Sequence, residues 1–141
     1  MKKLIVMGAA LTLLISACVP ATELGKVEPE RLADADWQLL NIQYADGRVS
    51  EPTFGEYSLE FDFDEKRMYV VADCNQGSAG FEATDDGRLV LGPIALTRMA
   101  CPAGSISDEF VAELGLGSSF SFEEGHLIVH NLDGNSLVFR R

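Results

Sequence analysis

The chain has 141 residues, 22 acidic against 11 basic, and a formal charge of −11 at neutral pH. That balance excludes nucleic acid as a partner, since phosphates need a basic surface, and excludes electrostatic docking on anionic lipid. The length suits one domain with a real hydrophobic core and leaves no room for a second of ordinary size.

At the start, Lys2 and Lys3 precede an apolar run over residues 4–17 that closes in Ile15, Ser16, Ala17 and Cys18. A basic start, a short apolar stretch and small residues before a cleavage point mark a secretory signal peptide. The run is shorter than the ~20 residues that a hydrocarbon-spanning helix needs. Residues 1–17 therefore read as a lipoprotein signal peptide. Cys18 then becomes the first mature residue and carries lipid, which anchors the protein in the membrane. Val19 after the cysteine, in place of an aspartate, favours the outer membrane facing the periplasm if the host is Gram-negative. Residues 18–34 contain Pro20 and Pro29 and lack periodicity. They read as a tether spanning ~20 Å, and residues 35–141 as the domain.

From Trp37 onward, short alternating runs are broken by turn residues. Strands are predicted over 37–44, 57–63, 67–72, 80–83, 88–91, 119–122, 126–130 and 136–139. In the second of these, Tyr57, Leu59, Phe61 and Phe63 share one face, while Ser58, Glu60 and Asp62 share the other. Gly47, Gly87 and Gly134 each follow an aspartate and Gly125 follows Glu124, which is strong hairpin chemistry because glycine accepts positive φ. One segment, 107–114, places Phe110, Val111 and Leu114 at helical spacing, with Ser107 as its expected cap, acidic Asp108 and Glu109 in the first turn, and Gly115 and Gly117 as its stop. The expected fold is mainly β (α+β): an antiparallel sheet curled into a barrel or half-barrel with one short helix packed on it.

With Cys18 lipidated, Cys74 and Cys101 remain as an even pair in an oxidising compartment and read as a disulfide. A reactive thiol is the competing reading, and it needs a nearby base and a reduced compartment. His126 and His130 share a strand face about 13 Å apart, too far for one metal ion, and are expected on the outside, solvated. Asp62, Asp64 and Glu65 lack the glycine turn and terminal glutamate of a calcium loop. No spacing selects a catalytic pair from Asp73, Glu82, Asp85 and Asp86, and no strand-turn-helix context activates Ser118, Ser119 or Ser121.

The richest stretch holds Cys74-Asn75, Gly80-Phe81, Gly92-Pro93-Ile94 and Thr97-Arg98-Met99-Ala100-Cys101 in that order. With Trp37-Gln38-Leu39 near the start and Leu137-Val138-Phe139 near the end, this ordered set resembles the META/HslJ-like domain of bacterial envelope lipoproteins over about residues 35–140. One departure is Asp73, where that family often has glycine before Cys-Asn. The resemblance implies a small β-rich domain with one helix, no cofactor and no metal, no established enzymatic activity, and an association with heat and envelope stress. Asn75 and Arg98 are the polar positions open to a binding or a structural role. The structural expectation is that Arg98 pairs with a carboxylate and that Asn75 bonds backbone beside the disulfide. The resulting expectation is a lipid-anchored, non-enzymatic envelope protein that binds another envelope protein, or a small apolar molecule inside a partly open barrel. The alternative is an inhibitor of a secreted hydrolase such as lysozyme, whose basic surface would suit an acidic domain.

Overall fold

The computed structural model describes residues 26–141, so the expected signal peptide, Cys18 and the expected tether up to residue 25 lie outside the described residues. Ten strands form one antiparallel sheet: β1 (Trp37–Gln43), β2 (Val49–Ser50), β3 (Tyr57–Asp62), β4 (Arg67–Ala72), β5 (Asn75–Ala83), β6 (Leu89–Leu91), β7 (Ala95–Leu96), β8 (Gly117–Glu123), β9 (His126–Asn131) and β10 (Ser136–Arg140). Their order is β6-β5-β4-β3-β1-β10-β9-β8, with β2 added beside β1 and β7 beside β5. The sheet curls until its two ends nearly meet. Phe120 N–H donates to Gly87 C=O at 2.7 Å, and Arg88 bridges Ser119. Gly87 serves twice here: it takes φ +81° in the turn, and a Cβ on it would lie 2.9 Å from the Phe120 carbonyl. This is the expected barrel, with β2 and β7 as two short strands beyond those predicted.

Pairing register places the turns at two ends. One end, the base, gathers the turns at 63–66, 84–88 and 124–125 and the C-terminal Arg140. The other, the rim, holds the turn at 73–74, the segment after β7, and helix α1 (Ser107–Gly115). The interior is filled by apolar side chains from alternate strand positions, among them Leu59, Phe61, Met68, Val70, Leu127, Val129, Leu137 and Phe139. Phe110 and Leu114 of α1 reach this core fully buried, and Phe110 meets the Tyr57 ring edge-on at 5.6 Å. Among the described residues these side chains pack the interior, and the grooves described below lie outside it, at the rim and along the strands.

Two expectations change at the ends. The folded unit begins before residue 35. Residues 29–34 form a 3-10 turn whose Leu32 is fully buried and accepts a hydrogen bond from Trp37 Nε1 at 2.8 Å, and Val27 N–H donates to Asp85 C=O at 2.8 Å. The expected tether therefore loses residues 27–34 to the base of the barrel, because a single leucine at the right place needs no periodicity to be core. At the rim, Ser107 is not the helix cap. Ile106 holds that position, and the first amides are met from outside the helix: Ile106 N–H by Tyr57 Oη at 3.0 Å and Ser107 N–H by Ser105 Oγ at 3.2 Å. Leu32→Ala should lower unfolding free energy by about 2–5 kcal/mol, as deletion of a buried leucine does elsewhere. Chemical denaturation measures this, and a neutral result would return residues 29–34 to the tether.

Candidate functional site

The segment after β7 is pinned to the turn between β4 and β5 from several sides. The Asn75 side chain is 6% exposed and spends both of its ends there. Its Oδ1 accepts from Met99 N–H at 2.7 Å and from Thr97 Oγ1 at 3.1 Å, and its Nδ2 donates to Met99 C=O at 3.1 Å. The amide thus pairs with Met99 as a neighbouring strand would. Thr97 Oγ1 also accepts from Gln76 N–H at 3.1 Å, and Thr97 N–H donates to Gln76 C=O at 3.0 Å. Cys74 and Cys101 form a disulfide with Cα atoms 5.4 Å apart, and Asn75 Nδ2 lies 3.2 Å from Cys101 Sγ. β7 itself comes so close to β5 that a Cβ on Gly77 would sit 1.9 Å from the Ala95 carbonyl oxygen.

The turn beneath this clamp carries Asp73 at φ +58°, in the left-handed region that favours glycine. Aspartate tolerates that region better than most residues. Asp73 N–H donates to Glu56 C=O at 2.6 Å, while its buried Oδ2 has no hydrogen-bond partner. The departure noted in the sequence therefore falls at a left-handed backbone position.

Arg98 does not pair with a carboxylate. It is exposed and forms no ion pair among the described residues, because the clamp takes the main chain of Thr97 and Met99 and turns the Arg98 side chain outward. Arg98 lines a groove of about 730 Å³ with Asn75, Leu96, Met99, Asp108 and Val111. Met99 is 64% exposed there. Rigid main chain thus presents one cation and one flexible apolar side chain, residue types over-represented at interface cores.

Beside the groove, α1 is bonded to the barrel by its acidic face. Tyr44 Oη donates to Glu109 Oε1, and Ser50 Oγ donates to Glu109 Oε2 at 3.0 Å. Glu113 Oε2 accepts from Asn131 Nδ2 at 2.6 Å and from Asn135 Nδ2 at 2.8 Å. Burial first, and then the bond to Glu109, push the Tyr44 phenol well above its ordinary range. His126 and His130 are half-buried, not solvated. His130 is engaged on both nitrogens, by Ser136 Oγ at 3.0 Å on Nδ1 and Ser121 Oγ at 3.1 Å on Nε2, which ties β8, β9 and β10 together. Among the described residues no cluster of three or more His, Cys, Asp or Glu is placed to hold a metal ion.

Sequence reasoning placed Asn75, Arg98, Cys74 and Cys101 in one region, and the structure brings them together. It missed Ser107 and Asp108 as neighbours of that region, because helix packing, not spacing, carries them there. A family model described as META domain matches residues 30–141. An NMR structure of a protein from Burkholderia xenovorans superposes with a TM-score of 0.65 at 22% identity, covering 86% of this chain and 95% of that one. A crystal structure of a DUF4847 family protein from Bacteroides vulgatus gives a TM-score of 0.55 at 15% identity, covering 79% and 95%. Both likenesses concern the fold alone. Comparison with the curated proteins found no match.

Asn75→Ala should cost about 1–3 kcal/mol, the penalty of leaving the Met99 main chain unpaired. Thermal and chemical unfolding measure it, and a loss of only a few tenths would mean the clamp is incidental. A separate outcome concerns pH. The folded-state pKa of Tyr44 is raised, so its contribution is complete below the ordinary tyrosine value of about 10 and is lost as pH rises beyond it. Tyr44→Phe should flatten the fall in stability between about pH 10 and pH 12. Tyr69, raised in the same direction by its bond to Glu65, should leave a residual slope.

Proposed function

The chain belongs to the META domain family, and from that premise we propose that it is a lipid-anchored, non-catalytic binding module of a bacterial cell envelope. Membership in the family suggests a stress-related role without catalysis. The observation that carries the binding reading is the clamped segment 97–101, which holds Arg98 and Met99 outward at the mouth of the 730 Å³ groove. A preorganised backbone removes much of the ordering cost of association, so affinity can be drawn from few side chains. Lipid on Cys18 would hold the domain at the membrane. The first described residues join the barrel at its base beside Asp85, which leaves the rim groove at the opposite end, directed away from the anchored end.

Site-specific photocrosslinking in live cells tests this. A crosslinker at Met99 should give one dominant adduct with an envelope protein. The same group at exposed Val90 on β6, away from the groove, should not. Equal and diffuse adducts from both positions would overturn the binding reading. If the adduct is a secreted hydrolase, the module is an inhibitor.

A further inference from the structure

The rim carries hydrogen-bond donors that the fold itself does not use. The first intrahelical bond of α1 runs from Phe110 N–H to Ile106 C=O at 2.8 Å. The amides of Asp108 and Glu109 lie ahead of it and so have no intrahelical acceptor; the N-cap residue Ile106 makes no side-chain cap bond, and Tyr57 and Ser105 reach only the amides of Ile106 and Ser107. Ser107 is 3% exposed, yet its Oγ has no hydrogen-bond partner. A buried hydroxyl left in that state is destabilising, and a bound acceptor would relieve it. Ser107 lines a recess of about 300 Å³ that shares Asn75, Met99, Ala100 and Asp108 with the larger groove, and Arg98, which forms no ion pair among the described residues, lines the latter.

These groups have one chemistry in common. A hydroxyl, amides at the positive end of a helix dipole and a planar guanidinium all suit a carboxylate. Next to them, Met99, Leu96 and Val111 supply an apolar wall. β7 pairs with β5 alone, and its other edge meets no described strand, so the groove accepts an extended backbone.

We propose that the groove takes an extended, carboxylate-bearing segment of a partner protein, its acidic group held by Arg98 and the amino end of α1 and its adjoining aliphatic residue lying on Met99. The proposal rests on the binding reading and names its partner chemistry. Asp108 stands in the same groove and opposes an incoming carboxylate, so its charge limits affinity.

The test is selection of a phage-displayed random peptide library on the full chain in detergent, followed by anisotropy of the enriched peptides against variants whose melting is unchanged. Enriched peptides should carry Asp or Glu beside an aliphatic residue. Arg98→Glu should weaken them about tenfold or more, the loss of one charge-assisted contact, and Ser107→Ala should weaken them severalfold. Asp108→Asn should tighten them. The proposal is overturned if enriched peptides lack an acid, if Arg98→Glu and Ser107→Ala bind them as well as the native chain does, or if millimolar free glutamate displaces them fully, which would assign the site to a small anion. A Met99 adduct in cells with any of these results sinks this inference alone, whereas loss of that adduct sinks the binding reading beneath it.

Discussion

The hydrogen bond from Phe120 N–H to Gly87 C=O, with the bridge from Arg88 to Ser119 beside it, joins the two ends of the sheet near the base. Among the described residues no strand pairing continues that join toward the rim, where β7 leans against β5 instead. A sheet that closes at one end has to be finished at the other by different means, since exposed edges invite pairing with other chains. Here the rim is finished by α1, whose Phe110 and Leu114 fill the top of the core, and by the disulfide and the Asn75 clamp, which fasten the segment after β7. The base is finished by Leu32 and Trp37. Both the groove and the unused donors at the start of α1 follow from this unequal closure.

Those parts of the fold whose cause is local were legible in the sequence. The alternation of Tyr57, Leu59 and Phe61 reports a strand with one buried face because each residue contributes by its own position. Gly47, Gly87, Gly125 and Gly134 all take positive φ, as their turn chemistry requires. What was not legible depends on residues distant in sequence. β5 begins at Asn75, five residues before its apolar pattern starts, because Gln76, Gly77 and Ser78 are held by β4 and β7 and not by burial of their own side chains. Ser107 looks like a cap by its offset from the helix, yet Tyr57 arrives from β3 and takes over that task with Ser105. Leu32 sits among charged residues and becomes core only because the base of the barrel is open to it.

The candidate site divides in the same way. The cysteines and Asn75 are recognisable as a group because their chemistry is specific, and a disulfide follows from compartment and count. The partner of Arg98 could not be read from sequence, since an arginine in an acidic chain has carboxylates available almost everywhere. Its exposure follows instead from where the clamp directs the backbone. Bonds to the main chain of Thr97 and Met99 hold the backbone on either side of Arg98, whose side chain is exposed.

This separation of tasks within five residues has a consequence for how the segment can vary. Thr97 and Cys101 act through side chains bonded within the clamp, and Met99 acts through its main chain, which Asn75 holds at both N–H and C=O. The side chains of Arg98 and Met99 contribute little to that scaffold, and an exposed methionine gains nothing from being there as regards burial. Their identity can change while the backbone that carries them stays in place, so under the proposed binding role recognition and stability are set by different atoms of the same short segment. A fold built this way can vary those two side chains without being unfolded by the change. The constraint that remains is the geometry of the clamp, in which Asn75 has no isosteric replacement: aspartate would lose the bond to Met99 C=O, and leucine would lose every bond the amide makes.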